Sequence, residues 1–155
     1  MNVASPRPRF YPAAALLAMI ALGYVLERYL PLARLAFPGQ DPVAWALTGV
    51  GIVLMVAAVA QFARAGTTVD PTRPDTSEAL VTGGVFRISR NPIYLGMLLV
   101  LVAYVVKLGA LSAWITPPLF VAWLNRAQIR REERALAARF GDAWAAYCRR
   151  TRRWI

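Results

Sequence analysis

The strongest constraint on this chain is the stretch 43–62, twenty residues without one charged side chain. That is the length an apolar helix needs to cross a bilayer, about 20 residues. Three further apolar runs, 10–25, 93–106 and 110–124, are shorter, and the last two recruit flanking polar residues to complete their spans. The connector 31–42 carries the turn formers Pro38-Gly39-Gln40-Asp41-Pro42, whereas Lys107-Leu108-Gly109 is short enough to make the last two runs an antiparallel hairpin. Pro117-Pro118 is expected to bend the returning helix, and Trp114 and Trp123 stand near its opposite ends, where interfacial indoles are common. The expected fold is all-α: a polytopic membrane protein with about four transmembrane helices and a C-terminal cytoplasmic amphipathic helical segment.

Composition agrees. Of 155 residues 58% are hydrophobic and the formal net charge is +10, with a mean hydropathy of +0.45. In a soluble domain such charge would suggest nucleic acid, but these arginines cluster beside apolar spans and no basic groove with interleaved aromatics is evident, so no nucleic-acid partner is expected. The connectors 31–42 and 107–109, with the residues just before them, hold only Arg28, Arg34 and Lys107. Arg64, Arg73, Arg87 and Arg90 fall in the second connector, and nine arginines follow Leu124. The positive-inside rule therefore places both termini in the cytoplasm, with the bacterial inner membrane as the expected location. The first run, preceded by Arg7 and Arg9, resembles a signal peptide, but further spans follow and no clear small-residue cleavage site intervenes, so it reads as a retained helix. The chain has no histidine, and Cys148 is its only cysteine. An internal disulfide, a Cys-based metal site and imidazole chemistry are thereby excluded, and no metal is expected.

Chemistry gathers where the polar loop 63–89 meets the third apolar run, in F-R-I-S-R-N-P-I-Y-L-G from Phe86 to Gly96. Pro92 suits the first helical turn, since its φ is already helical and its missing N–H would have no partner there, and Asn91 is a good cap. Arg87 and Arg90 thus stand at a helix mouth, which attracts a carboxylate or a phosphate. They serve equally well as the cytoplasmic edge of a membrane helix. In the loop, Thr67, Thr68, Asp70, Pro71 and Gly83-Gly84 could form turns and offer backbone donors to a ligand, or the loop is a mobile linker.

Downstream, 126–140 reads as a helix leaving the membrane, with Ile129, Leu136 and Phe140 on one stripe. Glu133 falls on that stripe and Glu132 at its border. Arg130, three residues earlier, is the obvious salt-bridge partner for Glu133, in a pair worth only ~0.2–0.5 kcal/mol. Gly141 is expected to end the helix and Asp142 to cap a shorter one through Trp144, Tyr147 and Cys148. Arg149, Arg150, Arg152 and Arg153 then lie at the membrane surface, where each basic residue gains ~1 kcal/mol from anionic headgroups. Trp144 and Tyr147 line a lipid passage or anchor the chain at the interface.

Arg90-Asn91-Pro92-x-Tyr94-x-Gly96, with Leu80-Val81-Thr82-x-Gly84 before it, resembles the cofactor motif of the isoprenylcysteine carboxyl methyltransferase and phospholipid methyltransferase family. Glu132-Glu133, Leu136, Phe140-Gly141, Trp144, Tyr147 and Arg153-Trp154-Ile155 resemble that family's C-terminal signature, in the right order and across a hydrophobic hairpin. Together they cover roughly residues 66–155. The family often has His where this chain has Asn91; an amide still donates and accepts hydrogen bonds.

The resemblance implies an integral membrane methyltransferase that uses S-adenosylmethionine, with a two-helix membrane region at 1–62 and a cofactor-binding catalytic region at 63–155. It implies Arg90, Asn91, Pro92, Tyr94, Gly96, Gly84, Glu132 and Glu133 around the cofactor, and Glu133, Arg153 and Tyr147 in catalysis. The acceptor would be a lipid or other lipophilic molecule from the bilayer, with no obligate protein partner. A carboxylate acceptor needs no general base, whereas an ammonium must first lose a proton, so the lack of histidine favours carboxyl O-methylation slightly. Phospholipid amine N-methylation, a nicotinamide-dependent membrane reductase and a nonenzymatic lipid-binding scaffold remain open.

Overall fold

The computed structural model describes residues 12–66 and 79–155. Arg7, Arg9, Thr67, Thr68, Asp70, Pro71 and Arg73, given roles above, lie outside them. Among the described residues the chain is helical, without strands: α1 (Pro12–Tyr29), α2 (Gln40–Arg64), a 3-10 turn Gly84–Arg87, α3 (Pro92–Leu108), a 3-10 turn Leu111–Ile115, α4 (Thr116–Trp123), a π-helical segment Leu124–Ile129, and α5 (Arg130–Arg150).

Two of these helices, α1 and α2, are long and apolar enough to cross a membrane; α3 is apolar but 17 residues long. Much of their apolar surface stays uncovered, with Leu17, Val50, Ile52, Val53, Val56 and Val59 exposed. Uncovered apolar faces of this extent belong to a membrane-associated chain.

Helices α2 and α3 form the central pair, and small residues let them approach. Ala44, Gly51 and Ala58 are the buried residues of α2, one every seven positions. A Cβ on Gly96 of α3 would lie 2.5 Å from the Gly51 carbonyl oxygen, and one on Gly51 would lie 2.7 Å from the Gly96 oxygen. The two backbones touch, as small-residue helix contacts in membranes do. Around them Leu101, Phe120, Leu124 and Ile129 are fully buried.

At one end of the bundle the first and third connectors meet. The Leu35 N–H donates to the Gly109 carbonyl at 2.7 Å and the Leu111 N–H to that of Ala33 at 2.9 Å. Gly109 ends α3 with φ 62°, and Gln40 donates to the last α3 carbonyls.

The returning run differs from the single bent helix expected over 110–124. It starts as a 3-10 turn, restarts as α4 at Pro117-Pro118, and passes through the π segment straight into α5. Prolines lack the N–H that would continue the preceding turn, so the α-helix begins at them. The break expected at Gly141 is present, with φ 48° and ψ −119° inside α5. Beyond it Trp144 and Tyr147 pack with Ala58 and Phe86, flanked by Phe62, Leu136 and Phe140, in a second apolar cluster. That cluster docks α5 at the end of α2 and beside the start of α3.

Candidate functional site

The site is built at the start of α3. Asn91 holds the cap position, its carbonyl accepting from the Leu95 N–H at 2.9 Å. Its side chain does not cap, contrary to the sequence reading; the amide donates to the Arg153 carbonyl at 2.9 Å. Ser89 Oγ accepts from the Asn91 N–H at 3.0 Å and donates to the same Arg153 carbonyl, and the Arg90 N–H donates to the Arg152 carbonyl at 3.0 Å. Residues 151–154 therefore form a strap across the helix mouth. Trp154 fastens it further, its indole N–H donating to Asn125 of the π segment at 3.3 Å.

Arg90 and Glu133 are the charged centre. Arg153 grips Glu133 with two donors, Nε at 3.0 Å from Oε1 and Nη2 on Oε2, while Arg90 Nη2 reaches Oε1 at 3.3 Å. The partners of Glu133 thus come from the strap and the α3 mouth, and the helix-surface pair with Arg130 is replaced by a triad spanning both motifs. Only 14% of the Arg90 side chain and 17% of the Glu133 side chain are exposed, so the pair is screened far less than one on the surface. The Arg90 guanidinium lies 5.6 Å from the Trp144 ring centroid, within cation–π range, and Nη1 contacts Cys148 Sγ. Its Nε is buried and has no hydrogen-bond partner among the described residues.

Glu132 faces a different environment. Its Oε1 accepts from the Tyr94 hydroxyl and from the Gln128 amide, both at 2.6 Å. Both donors are neutral. Burial pushes the Glu132 carboxyl above its ordinary value, and Glu133 adds to this, against the opposing pull of the two hydrogen bonds and Arg131.

The remaining expected residues divide. Pro92 is buried at the start of α3. Tyr147 donates its hydroxyl to the Phe86 carbonyl at 2.7 Å, and burial pushes its pKa up to about 12, so at neutral pH it is a donor and not a base. Gly84, at φ 52°, leaves room for the Gln61 amide, with which a Cβ at this position would clash. Gly96 lies against Gly51 in the helix contact described above and not at the mouth, and Arg87 is exposed outside the cluster. Ser89, Asn125, Gln128 and Cys148 join the site without having been singled out from sequence. Two amides just past the end of an apolar run, Asn125 and Gln128, were the available signal. The π segment that carries them is the kind of helical irregularity often found at functional sites.

The family model described as phospholipid methyltransferase matches residues 42–143. The chain belongs to the phospholipid methyltransferase family. The match covers about two thirds of its length and includes the α3 mouth and both glutamates, in agreement with the resemblance read from the two motifs. An uncharacterized protein of Haemophilus influenzae is 40% identical over 62 residues, covering 40% of this chain and 98% of that relative. No solved structure matches. Membership makes this a chain of a methyltransferase family, and its apolar helices are those of a membrane-associated member.

Proposed function

We propose that this phospholipid methyltransferase family member transfers a methyl group from S-adenosylmethionine to a lipophilic acceptor at the cytoplasmic face of a membrane. The observation that carries the reading is Arg90: a guanidinium at a helix mouth, enclosed by residues of both motifs, whose buried Nε has no partner among the described residues. A buried donor without an acceptor costs stability unless a ligand supplies one, and a carboxylate on the cofactor is such an acceptor. The residues fit the cofactor in two further respects. Glu132 offers a carboxylate held by neutral donors, suited to an ammonium or to ribose hydroxyls, and Tyr94 beside it offers a ring to pack on.

The cofactor supplies a methyl group already activated on a sulfonium. The protein's part is then alignment and exclusion of water. Arg90 and the α3 mouth hold one end, Glu132 and Tyr94 orient the polar edge, and the strap with Trp144 and Tyr147 closes the site from the aqueous side. In this reading four helices cross the bilayer: α1, α2, α3 and the path from Leu111 through Ile129. Residues 1–62 supply membrane helices and 63–155 the reacting region. Both termini lie in the cytoplasm, so an acceptor enters sideways from the lipid.

The missing histidine favours a carboxylate acceptor. A second reading, an amine headgroup, is favoured by the family's description and by Glu132, a carboxyl raised by burial that could take the ammonium proton. The decisive experiment incubates the purified protein with a membrane lipid extract and S-adenosylmethionine labelled in its methyl group. Label recovered in lipid and released as methanol by mild base identifies carboxyl O-methylation, and base-stable label recovered on the amine headgroup after acid hydrolysis identifies N-methylation. No label in lipid, from folded protein in detergent and again in nanodiscs, contradicts the proposal and leaves the nicotinamide-dependent and scaffold alternatives.

A further inference from the structure

A guanidinium grips a carboxylate with two parallel hydrogen bonds through its side edge, Nε with Nη2, or through its end edge, Nη1 with Nη2. Arg153 uses the side edge fully on Glu133, with Nε on Oε1 and Nη2 on Oε2. Arg90 presents the same edge to the same glutamate and is left incomplete: Nη2 stands 3.3 Å from Oε1, and Nε, buried, touches no acceptor among the described residues. Its other side is already occupied, by Cys148 at Nη1 and by the face of Trp144. Glu133 therefore belongs to Arg153 and only leans on Arg90.

From this asymmetry, and resting on the reading of Arg90 as the cofactor's anchor, we infer that Glu133 is an internal stand-in for the ligand carboxylate. The incoming carboxylate takes the Nε/Nη2 edge of Arg90 and displaces Glu133, which stays paired with Arg153. The exchange strands no charge, because Glu133 keeps its two-pronged partner and Arg90 trades one long contact for two hydrogen bonds. It also ties binding to the strap. Arg153 holds Glu133 with its side chain while its carbonyl receives Asn91 and Ser89, so the displaced carboxylate stays on the segment that closes the mouth. Glu133 is thus a competitor at the site, in contrast to the ligand-holding role its place in the motif implies.

The two roles differ in the sign of one measurement. Binding of S-adenosylmethionine and of its decarboxylated analogue to the purified full-length protein is measured by calorimetry for the wild type, Glu133→Gln, Glu133→Asp and Arg90→Gln. As a competitor, Glu133 weakens only the ligand that carries a carboxylate. Glu133→Gln then tightens S-adenosylmethionine binding by roughly tenfold and leaves the analogue within about twofold. Glu133→Asp, which retracts the charge from Arg90 by one methylene and can keep Arg153, tightens it in the same direction and guards against a folding failure of the glutamine variant. Arg90→Gln removes the wild-type preference for the carboxylated ligand. The inference is overturned if Glu133→Gln or Glu133→Asp weakens both ligands while the thermal midpoint is unchanged, since Glu133 would then hold the ligand itself. It is also overturned if the wild type binds both ligands equally. Absence of any binding by the wild type overturns the cofactor reading, and this inference with it.

Discussion

Glu132 and Glu133 are sequence neighbours that point about 100° apart on a helix, and their surroundings set them different tasks. Glu133 meets two arginines; Glu132 meets a phenol and an amide. The sequence reading recognised both as site residues and left open which one faces a ligand. It could not choose because the deciding groups, Arg153 and Gln128, reach them from the strap and from the π segment. Asn91 shows the same limit, since its cap position was legible and the carbonyl that draws its side chain away, 62 residues downstream, was not. The two environments make a prediction for Glu132. A carboxyl whose folded value is raised binds its proton more tightly in the folded state. Its contribution to stability is full below the ordinary value of 4.5 and is lost as pH rises through the folded value. Thermal midpoints of the detergent-solubilised protein should therefore fall more steeply above pH 4.5 for the wild type than for Glu132→Gln. Parallel curves would mean that Glu132 carries no raised carboxyl.

Among the elements, α2 and α3 set the geometry on which the site rests. The apolar runs were legible as helices from charge-free length alone, and the observed α2 and α3 extend them by only a few residues at either end. The contact between them was not legible. The motif resemblance assigns Gly96 to the cofactor, and its missing side chain also accommodates the Gly51 backbone. Nothing in the motif itself reveals which neighbour a glycine faces. A methyl group on Gly96 would also fall 2.6 Å from Met55 Cγ, so Gly96→Ala is expected to spread the two helices and cost about 1–3 kcal/mol, as overpacking does. A lowered thermal midpoint checks this. An unchanged midpoint with lost cofactor binding would instead give Gly96 a direct part in the cofactor site. The returning run was misjudged for a related reason, because hydropathy registers 110–124 as one apolar stretch and is blind to a change of helical pitch at the prolines.

Across the whole molecule, the connectors around Arg34 and Gly109 meet at one end, while the turn before α3 and the strap meet at the other. In the proposed orientation the second of these ends, beside Arg90 and the arginine-rich tail, is the one that faces the cytoplasm. Phe37 and Ala65 flank α2 and are both exposed. In a Cys148→Ser background, Phe37→Cys should react with an impermeant maleimide only from outside the cell, and Ala65→Cys only after the cytoplasmic face is opened. Labelling of both from one side would contradict a membrane-crossing α2. The central claim is that segments far apart in the chain form one cofactor site at the basic end. Its most direct test is equilibrium binding of S-adenosylmethionine to the purified protein, with Arg90→Ala from the first motif and Glu132→Gln from the second. The account predicts saturable binding by the wild type, weakened roughly tenfold or more by each substitution as charge-assisted contacts are lost. Wild-type affinity in both variants, with both proteins folded, would contradict it.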